Sequence, residues 1–389
     1  MKILFINYEC PPLGGGGGVA TFQLAAELAK RHEVDYLTMG YYNLPPSENV
    51  DQVHIIRVPV IDRKKISTAT YISLISFVPF AFLKGVILCN KRKYDCIHAF
   101  FIVPSGICAF LLSRIFHIPL ILTALGGDVY DPSKRHSPHN SCLMKRVISF
   151  LLNHSDKNTV ESLNLRDLIL QYYPINKPLQ VVPLGFNKPV FPLKSRLDLN
   201  MPENKIVFIS VGRLVKRKGF EYSIQALSRI SGYSFHYFIL GEGPDERNLK
   251  KLVLQLGMTD KITFLGHVTE EMKFQYLNVA DIYLLPSLHE GFGICLLEAM
   301  HCGLPIVSTN NGGQEDIIKD RRNALFADPA DSAMFAERIV ELLENSDLRN
   351  FISHKNRRDI AGFYVDEIVH KYESLYTNEE RSRRIEHES

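Results

Sequence analysis

The stretch LLPSLHEGFGICLLEAMHCGLPIVST, residues 284–309, sets two short apolar runs on either side of a segment with helical character. The first run belongs to DIYLLPS and the second is LPIVST; the helix is expected to start near Gly293. Strand, glycine-bounded loop, buried helix and strand make a βαβ unit, which implies a parallel sheet. Glu290 and Glu298 bracket seven residues here. In one continuous helix they would differ by a rotation of ~80° and a rise of ~12 Å, and would not share a site. Gly291 and Gly293 remove that obstacle by making the segment after Glu290 a loop. Glu298 then lies one or two turns into the helix with its side chain leaning toward the N-terminus. The free N–H groups of residues 292–294 point to the same place, giving an anion pocket with a carboxylate on each side. Leu296, Leu297, Ala299 and Met300 make the helix mostly buried, and a buried glutamate needs a partner.

The same grammar extends outward. KIVFISVG (205–212), FHYFILGEGP (235–244) and KITFLG (261–266) are strands ending in glycine, with helical segments between them. Ligands bind at such strand ends in doubly wound sheets. VGRLVKRKG places Arg213 and Lys218 between Gly212 and Gly219, and two cations in a glycine-bounded loop suit a diphosphate. The GEGP turn, with Gly241 and Gly243, and His267 in LGHV are expected to approach a base or ribose.

The first half alternates in the same way: Lys2–Asn7 strand, Val19–Lys30 helix, Val34–Thr38 strand, then short strands at Cys96–Ala99 and Leu120–Ala124. Between its first strand and helix run five glycines, Gly14 to Gly18, read as a loop touching phosphate or sugar. VVPLGFNKPVFP (181–192), with three prolines, is read as the hinge between two domains.

Composition sets bounds. At 389 residues the chain is comfortable for two domains, and its net charge of +3 is too small to argue for nucleic acid. The charge is uneven, however: thirteen Lys/Arg stand against four acids between Arg57 and Arg146. The seven cysteines contain no CxxC pair and read as thiols of a reducing cytoplasm. MKILFIN is too short for a targeting core. The apolar run Tyr71–Leu83 stops at Lys84, short of the ~20 residues a spanning helix needs. With Arg63-Lys64-Lys65 before it and Lys91-Arg92-Lys93 after it, the run reads either as a core helix or as a basic-flanked face for anionic lipid. RHSPHNS (135–141) is read as a polar loop, not a metal site.

Taken together, the glycine loop, VPLGF, VGRLVKRKG, GEGP, the E-x7-E of EGFGICLLE and GGQEDII (312–318) resemble the retaining GT-B glycosyltransferases, most closely family 4. The resemblance implies an α/β GT-B fold, two Rossmann-like doubly wound parallel-sheet domains facing across a cleft. The expected bounds are 1–185 for the acceptor-side domain, 186–365 for the nucleotide-sugar domain, and 366–389 for a C-terminal helix returning to the first domain with a frayed tail. It implies a hexosyltransferase acting from a nucleoside diphosphate sugar onto a hydroxyl of a glycan or lipid-linked acceptor, in surface polysaccharide or glycoconjugate synthesis, with no cofactor and no metal. Arg213 and Lys218 are expected to hold the diphosphate and Glu290 the sugar hydroxyls. Gly291, Phe292, Gly293 and Ile294 are expected to contact sugar and phosphate, and Glu298 the ribose. Gly16, Gly17 and Gly18 are expected near the phosphates, with Asp128 as a further catalytic group. An enzyme in the cytoplasm, peripheral on the inner face of the plasma membrane, fits this picture. Two departures stand out. TALGGDVYD has Leu125 where many members have histidine, and Phe100 stands where another histidine is frequent, leaving His98. An epimerase of the same fold, or a binding protein without catalysis, are the alternatives. Lys218→Ala is expected to abolish most turnover with the fold intact.

Overall fold

The computed structural model describes residues 1–66, 68–132 and 137–377. The start of RHSPHNS and the charged tail from residue 378 lie outside the described residues. The chain divides into two units, Met1–Asn187 with the chain from Phe363 onward, and Lys188–Gly362.

Unit 1 runs β1 (Lys2–Ile6), α1 (Gly16–Ala29), β2 (Glu33–Met39), β3 (Ser47–Val50), β4 (Val53–Val58), α2 (Tyr71–Lys91), β5 (Cys96–Phe100), α3 (Ser105–Phe116), β6 (Leu120–Ala124), α4 (Cys142–His154), β7 (Lys157–Val160), α5 (Leu163–Tyr172) and β8 (Gln180–Val181). The sheet order is β3-β4-β2-β1-β5-β6-β7-β8, parallel except for the β3–β4 hairpin. β1, β5 and β6 are nearly continuous apolar runs because helices cover both faces. The last helix, Val365–Tyr376, packs on this unit. Val365 N–H donates to the Phe186 carbonyl, Lys157 Nζ donates to the Leu375 carbonyl at 2.8 Å, and a Cβ on Gly185 would meet Val365 Cα at 2.9 Å.

Helix α1 begins inside the glycine run, with Gly15 as its N-cap. Gly16, Gly17 and Gly18 are therefore its first turn and not a loop. Gly14 carries the turn at φ +97°.

Helix α2 continues through Lys84 to Lys91, longer than the apolar run suggests. Among the described residues it alone is long and apolar enough to cross a membrane, yet it lies on the sheet and against α3. Phe77, Ala81 and Leu88 enter the core, while Ile72, Ile75, Pro79, Phe80, Leu83 and Ile87 face outward.

Unit 2 runs β9 (Ile206–Val211), α6 (Phe220–Arg229), β10 (Phe235–Leu240), α7 (Glu246–Gln255), β11 (Ile262–Gly266), α8 (Glu270–Val279), β12 (Ile282–Leu285), α9 (Ile294–His301), β13 (Ile306–Thr309), α10 (Gln314–Ile317), β14 (Ala324–Ala327), α11 (Ser332–Glu344) and α12 (Ser346–Asp359). Its sheet order, β11-β10-β9-β12-β13-β14, is wholly parallel. The direction of winding reverses between β9 and β12, and it is at such a reversal that a crevice opens beyond the strand ends.

Candidate active site

The two loops at that reversal carry VGRLVKRKG, after β9, and PSLHEGFG, after β12. They interlock through glycine. Gly219 has φ +61°, and a Cβ there would lie 2.2 Å from the Pro286 carbonyl oxygen. The lock brings the side chains together. Lys218 Nζ donates to Glu290 Oε1 at 2.5 Å, and Ser287 Oγ donates to the same oxygen at 2.5 Å. Arg217 lies 3.5 Å from Glu290 Oε2 and donates to the His289 carbonyl at 2.6 Å. Burial pushes the Glu290 carboxyl up, but the charges of Lys218 and Arg217 and the bonds from Lys218 and Ser287 outweigh it and bring it to about 2. Glu290 is therefore an ionised, fully oriented carboxylate. A third loop, after β13, fixes its backbone: Gly313 N–H donates to the Glu290 carbonyl at 2.8 Å, and a Cβ on Gly312 would lie 2.2 Å from that oxygen.

Helix α9 starts just beyond, capped by Gly293 at φ +105° with no acid in its first turn. Its N-terminal N–H groups are thus free of an internal counter-charge. Glu298, in the second turn, is buried and accepts from Lys273 Nζ at 2.6 Å. Burial raises its carboxyl, with Lys273 offsetting part of the rise. Lys273 also reaches Glu270 at 2.7 Å; burial opposes its charge, but the two carboxylates prevail. Sequence reasoning demanded a partner for Glu298 without finding it. Lys273 lies on α8, and no local spacing connects it with α9.

Other expected residues fall differently. Arg213 is exposed. Gly241 and Gly243 have a packing reason: a Cβ on either would lie 2.0–2.1 Å from the carbonyl oxygen of Gly212 or Leu214. His267 is exposed at the end of edge strand β11. Gly291 and Phe292 lie in the loop before α9, with Phe292 buried, and Ile294 opens the helix.

Gly16, Gly17, Gly18 and Asp128 belong to unit 1. Asp128 is buried and accepts the N–H groups of Ile102 (2.5 Å) and Leu125 (3.0 Å), tying the loops after β5 and β6 together. Burial lifts its carboxyl to about 7 against those bonds. His98 is a core residue. Its nitrogens meet Tyr376 Oη at 2.8 Å and Thr123 Oγ1 at 2.7 Å, and burial lowers it to about 3.

Two family models match in tandem, Glycosyltransferase Family 4 over residues 14–188 and Glycosyl transferases group 1 over residues 194–359. N-acetyl-alpha-D-glucosaminyl L-malate synthase of Bacillus anthracis is 27% identical, covering 96% of both chains. Sucrose-phosphate synthase from Thermosynechococcus elongatus superposes with a TM-score of 0.85 at 22% identity, over 100% of this chain and 99% of that one. Anabaena HepE, solved with UDP and glucose, gives 0.77 at 20% identity, over 96% and 99%. The fold read from the strand pattern is the one observed, and the chain belongs to the group 1 glycosyltransferases of GT-B fold.

Proposed function

We propose that unit 2 binds a nucleoside diphosphate sugar and that its sugar is transferred, with retained anomeric configuration, to a hydroxyl of a glycan or lipid-linked acceptor bound by unit 1. The observation that carries this reading is the Lys218–Glu290 pair at the winding reversal, next to the acid-free start of α9. The donor's anomeric carbon–oxygen bond breaks and the acceptor oxygen bonds to the same carbon on the same face. The acceptor proton passes to the departing phosphate oxygen. Lys218, the exposed Arg213 and the α9 N-terminus offset the charge that develops on the diphosphate, and the reading assigns no metal. Glu290 takes sugar hydroxyls and Glu298 the ribose diol. Asp128 positions backbone in unit 1. That HepE was solved with UDP and glucose supports a donor of this class.

The test is thermal-shift stabilisation across a panel of nucleotide sugars, with Glu298→Ala beside the wild type. Binding raises apparent stability by mass action, so one donor should shift the wild type and shift the variant less. Absence of any shift, with or without candidate acceptors, would sink the reading.

The outward face of α2 bears on the acceptor. Ile72, Ile75, Phe80, Leu83 and Ile87 are exposed, and so are Lys65, Lys91 and Lys93 at its ends. Apolar residues ringed by lysine fit an anionic lipid surface, each lysine contributing roughly 1 kcal/mol there. We place the enzyme peripherally on such a surface, the inner face of the plasma membrane. In flotation with phosphatidylglycerol vesicles the wild type should rise with the lipid and Ile75→Glu/Leu83→Glu should stay behind. Equal behaviour of the two proteins would remove the membrane from this account.

A further inference from the structure

The outer strands of unit 1 carry a side-chain relay that sugar transfer leaves unused. Asp35 on β2, His54 on β4 and Ser47 on β3 share one face of the sheet. β2 pairs Asp35 with His54, and β3 pairs His54 with Asn49, two residues from Ser47. His54 Nε2 lies 2.8 Å from Ser47 Oγ, and His54 Nδ1 lies 2.6 Å from Asp35 Oδ1. Asp35 is buried, His54 half-buried and Ser47 exposed, so the relay runs from a sealed carboxylate to a hydroxyl in water.

Its protons have one arrangement. The Asp35 carboxylate accepts from Arg92 Nη1 at 2.9 and 3.0 Å and from the Tyr94 hydroxyl. A carboxylate can only accept, so His54 Nδ1 carries the ring proton and donates to it. Nε2 of the neutral ring then turns its lone pair to Ser47, whose hydroxyl donates. A nucleophile within reach of a base that a third group orients is the signature of an activated hydroxyl.

Ser47 is also held in place. The buried Arg57 side chain donates to the Pro45 carbonyl at 3.0 Å and pairs with Glu48 at 2.5 Å, on either side of Ser47. The Arg57 N–H donates to the Pro46 carbonyl at 2.8 Å, which makes Ser47 and Ile56 a non-hydrogen-bonded pair. The Ser47 N–H therefore points away from β4, and β3 is the outermost strand of the sheet. That main-chain donor stands beside its own Oγ, where an oxyanion would develop in an adduct on this residue.

We propose that Ser47, His54 and Asp35 form a second catalytic site, independent of the donor site, which hydrolyses small carboxylic esters at the outer edge of the unit 1 sheet. Ser47 Oγ bonds to the ester carbonyl carbon as its proton passes to His54 Nε2. The bond from that carbon to the alcohol oxygen breaks, and the alcohol leaves with the proton from His54. A water oxygen then bonds to the acyl carbon and gives its proton to His54. The bond to Ser47 Oγ breaks, His54 returns the proton to Oγ, and the carboxylic acid is released. Asp35 touches neither ester nor water and is a positioning residue that fixes the tautomer. The exposure of Ser47 and Asn49 suits a small, water-soluble ester rather than a long acyl chain.

The test uses the full chain with p-nitrophenyl acetate, read as nitrophenolate release and as acetylation of Ser47 by peptide mass spectrometry. Ser47→Ala should lose the release seen in wild type, and His54→Gln should slow it by roughly 10²-fold or more. Asp35→Asn should lower kcat by roughly tenfold or more and leave KM unchanged. Ser47→Ala alters an exposed side chain and should melt as the wild type does, with the same thermal shift on adding donor. Equal release by wild type and Ser47→Ala overturns the site, as does acetyl found on lysines alone. A loss in Ser47→Ala that His54→Gln does not share overturns the relay. Loss of the donor shift in Ser47→Ala overturns the independence of the two sites. Should His54→Gln or Asp35→Asn fail to fold, a fluorophosphonate probe on the wild type decides. It must label Ser47, fluoride leaving as Oγ bonds to phosphorus, and an unlabelled Ser47 refutes the proposal.

Discussion

Lys218→Met is expected to lower turnover by roughly 10²- to 10³-fold, the size of losing one preorganised group at a developing charge. Stability should fall with it, contrary to what the sequence alone implies. Lys218 is more than a cation waiting for a diphosphate. Its ammonium lies 2.5 Å from Glu290 Oε1, with side chains only 12% and 5% exposed. Removing one member of a buried pair strands the other, at about 3–5 kcal/mol. Here Ser287 and Arg217 remain on Glu290, so the lower end of that range is expected. Two effects therefore arrive together and must be separated. The double variant Lys218→Met/Glu290→Gln has no stranded charge and should regain most of the lost stability in urea melts. Its turnover, followed by nucleotide release from the donor that the panel identifies, should stay low. Recovery of turnover together with stability would mean that Lys218 only supports the fold, and the catalytic assignment would fail.

The difference between these two roles also marks what the sequence could and could not disclose. Unit 2 was legible because its strands KIVFISV, FHYFIL, ITFLG and IYLL are short apolar runs closed by glycine or proline, each with a helix after it, although its edge strand β14 was not read. Unit 1 was less so. β7 is KNTV, polar by composition yet buried at Asn158 and Thr159. Its polar atoms are satisfied by neighbours that only the fold supplies: Ser155 donates to Asn158 at 2.7 Å, and Thr159 meets Thr123 at 2.6 Å. Hydrophobic periodicity has no purchase on such a strand. β3 is a half-exposed antiparallel edge and shows equally little. Helix α2 runs on past Lys84 because that residue lies between its buried and outward faces, where a long side chain reaches water.

At the site, the ordered motifs located Lys218, Glu290 and Glu298. Their partners were invisible for a physical reason. Arg217 sits among the cations of VGRLVKRKG with nothing in the spacing to aim it at Glu290, and Lys273 reaches Glu298 from a different helix. Gly241 and Gly243 carry a constraint that spacing could not show: beyond the ligand-facing reading of a glycine turn after a strand, the missing side chains make room for the main chain of Gly212 and Leu214.

The second large effect concerns Lys273. Lys273→Met is expected to raise the donor KM about tenfold or more at neutral pH while kcat changes little. The ribose does not take part in bond making, so a group that holds it contributes equally to ground and transition states. Glu298 binds a diol best as a carboxylate, accepting from both hydroxyls. Burial already raises its carboxyl above the ordinary 4.5, and Lys273 is the largest influence holding it down. Without Lys273 the carboxyl rises further and is protonated over a wider range, so the variant's KM should improve as pH increases, along a profile displaced to higher pH. Stability follows with a definite sign. A carboxyl raised on folding contributes stability that is full below its unfolded value and is lost as pH climbs through its folded value. The variant widens that window upward, so its stability should fall more steeply than that of the wild type as pH rises above the ordinary carboxyl range. Lys273→Arg, which keeps the charge, should restore most of the KM and return the profile toward the wild-type position. A merely structural lysine would lower stability evenly across pH and leave the KM profile in place. That result, or a loss confined to kcat, would take Glu298 away from the ribose and with it the orientation of the donor in this site.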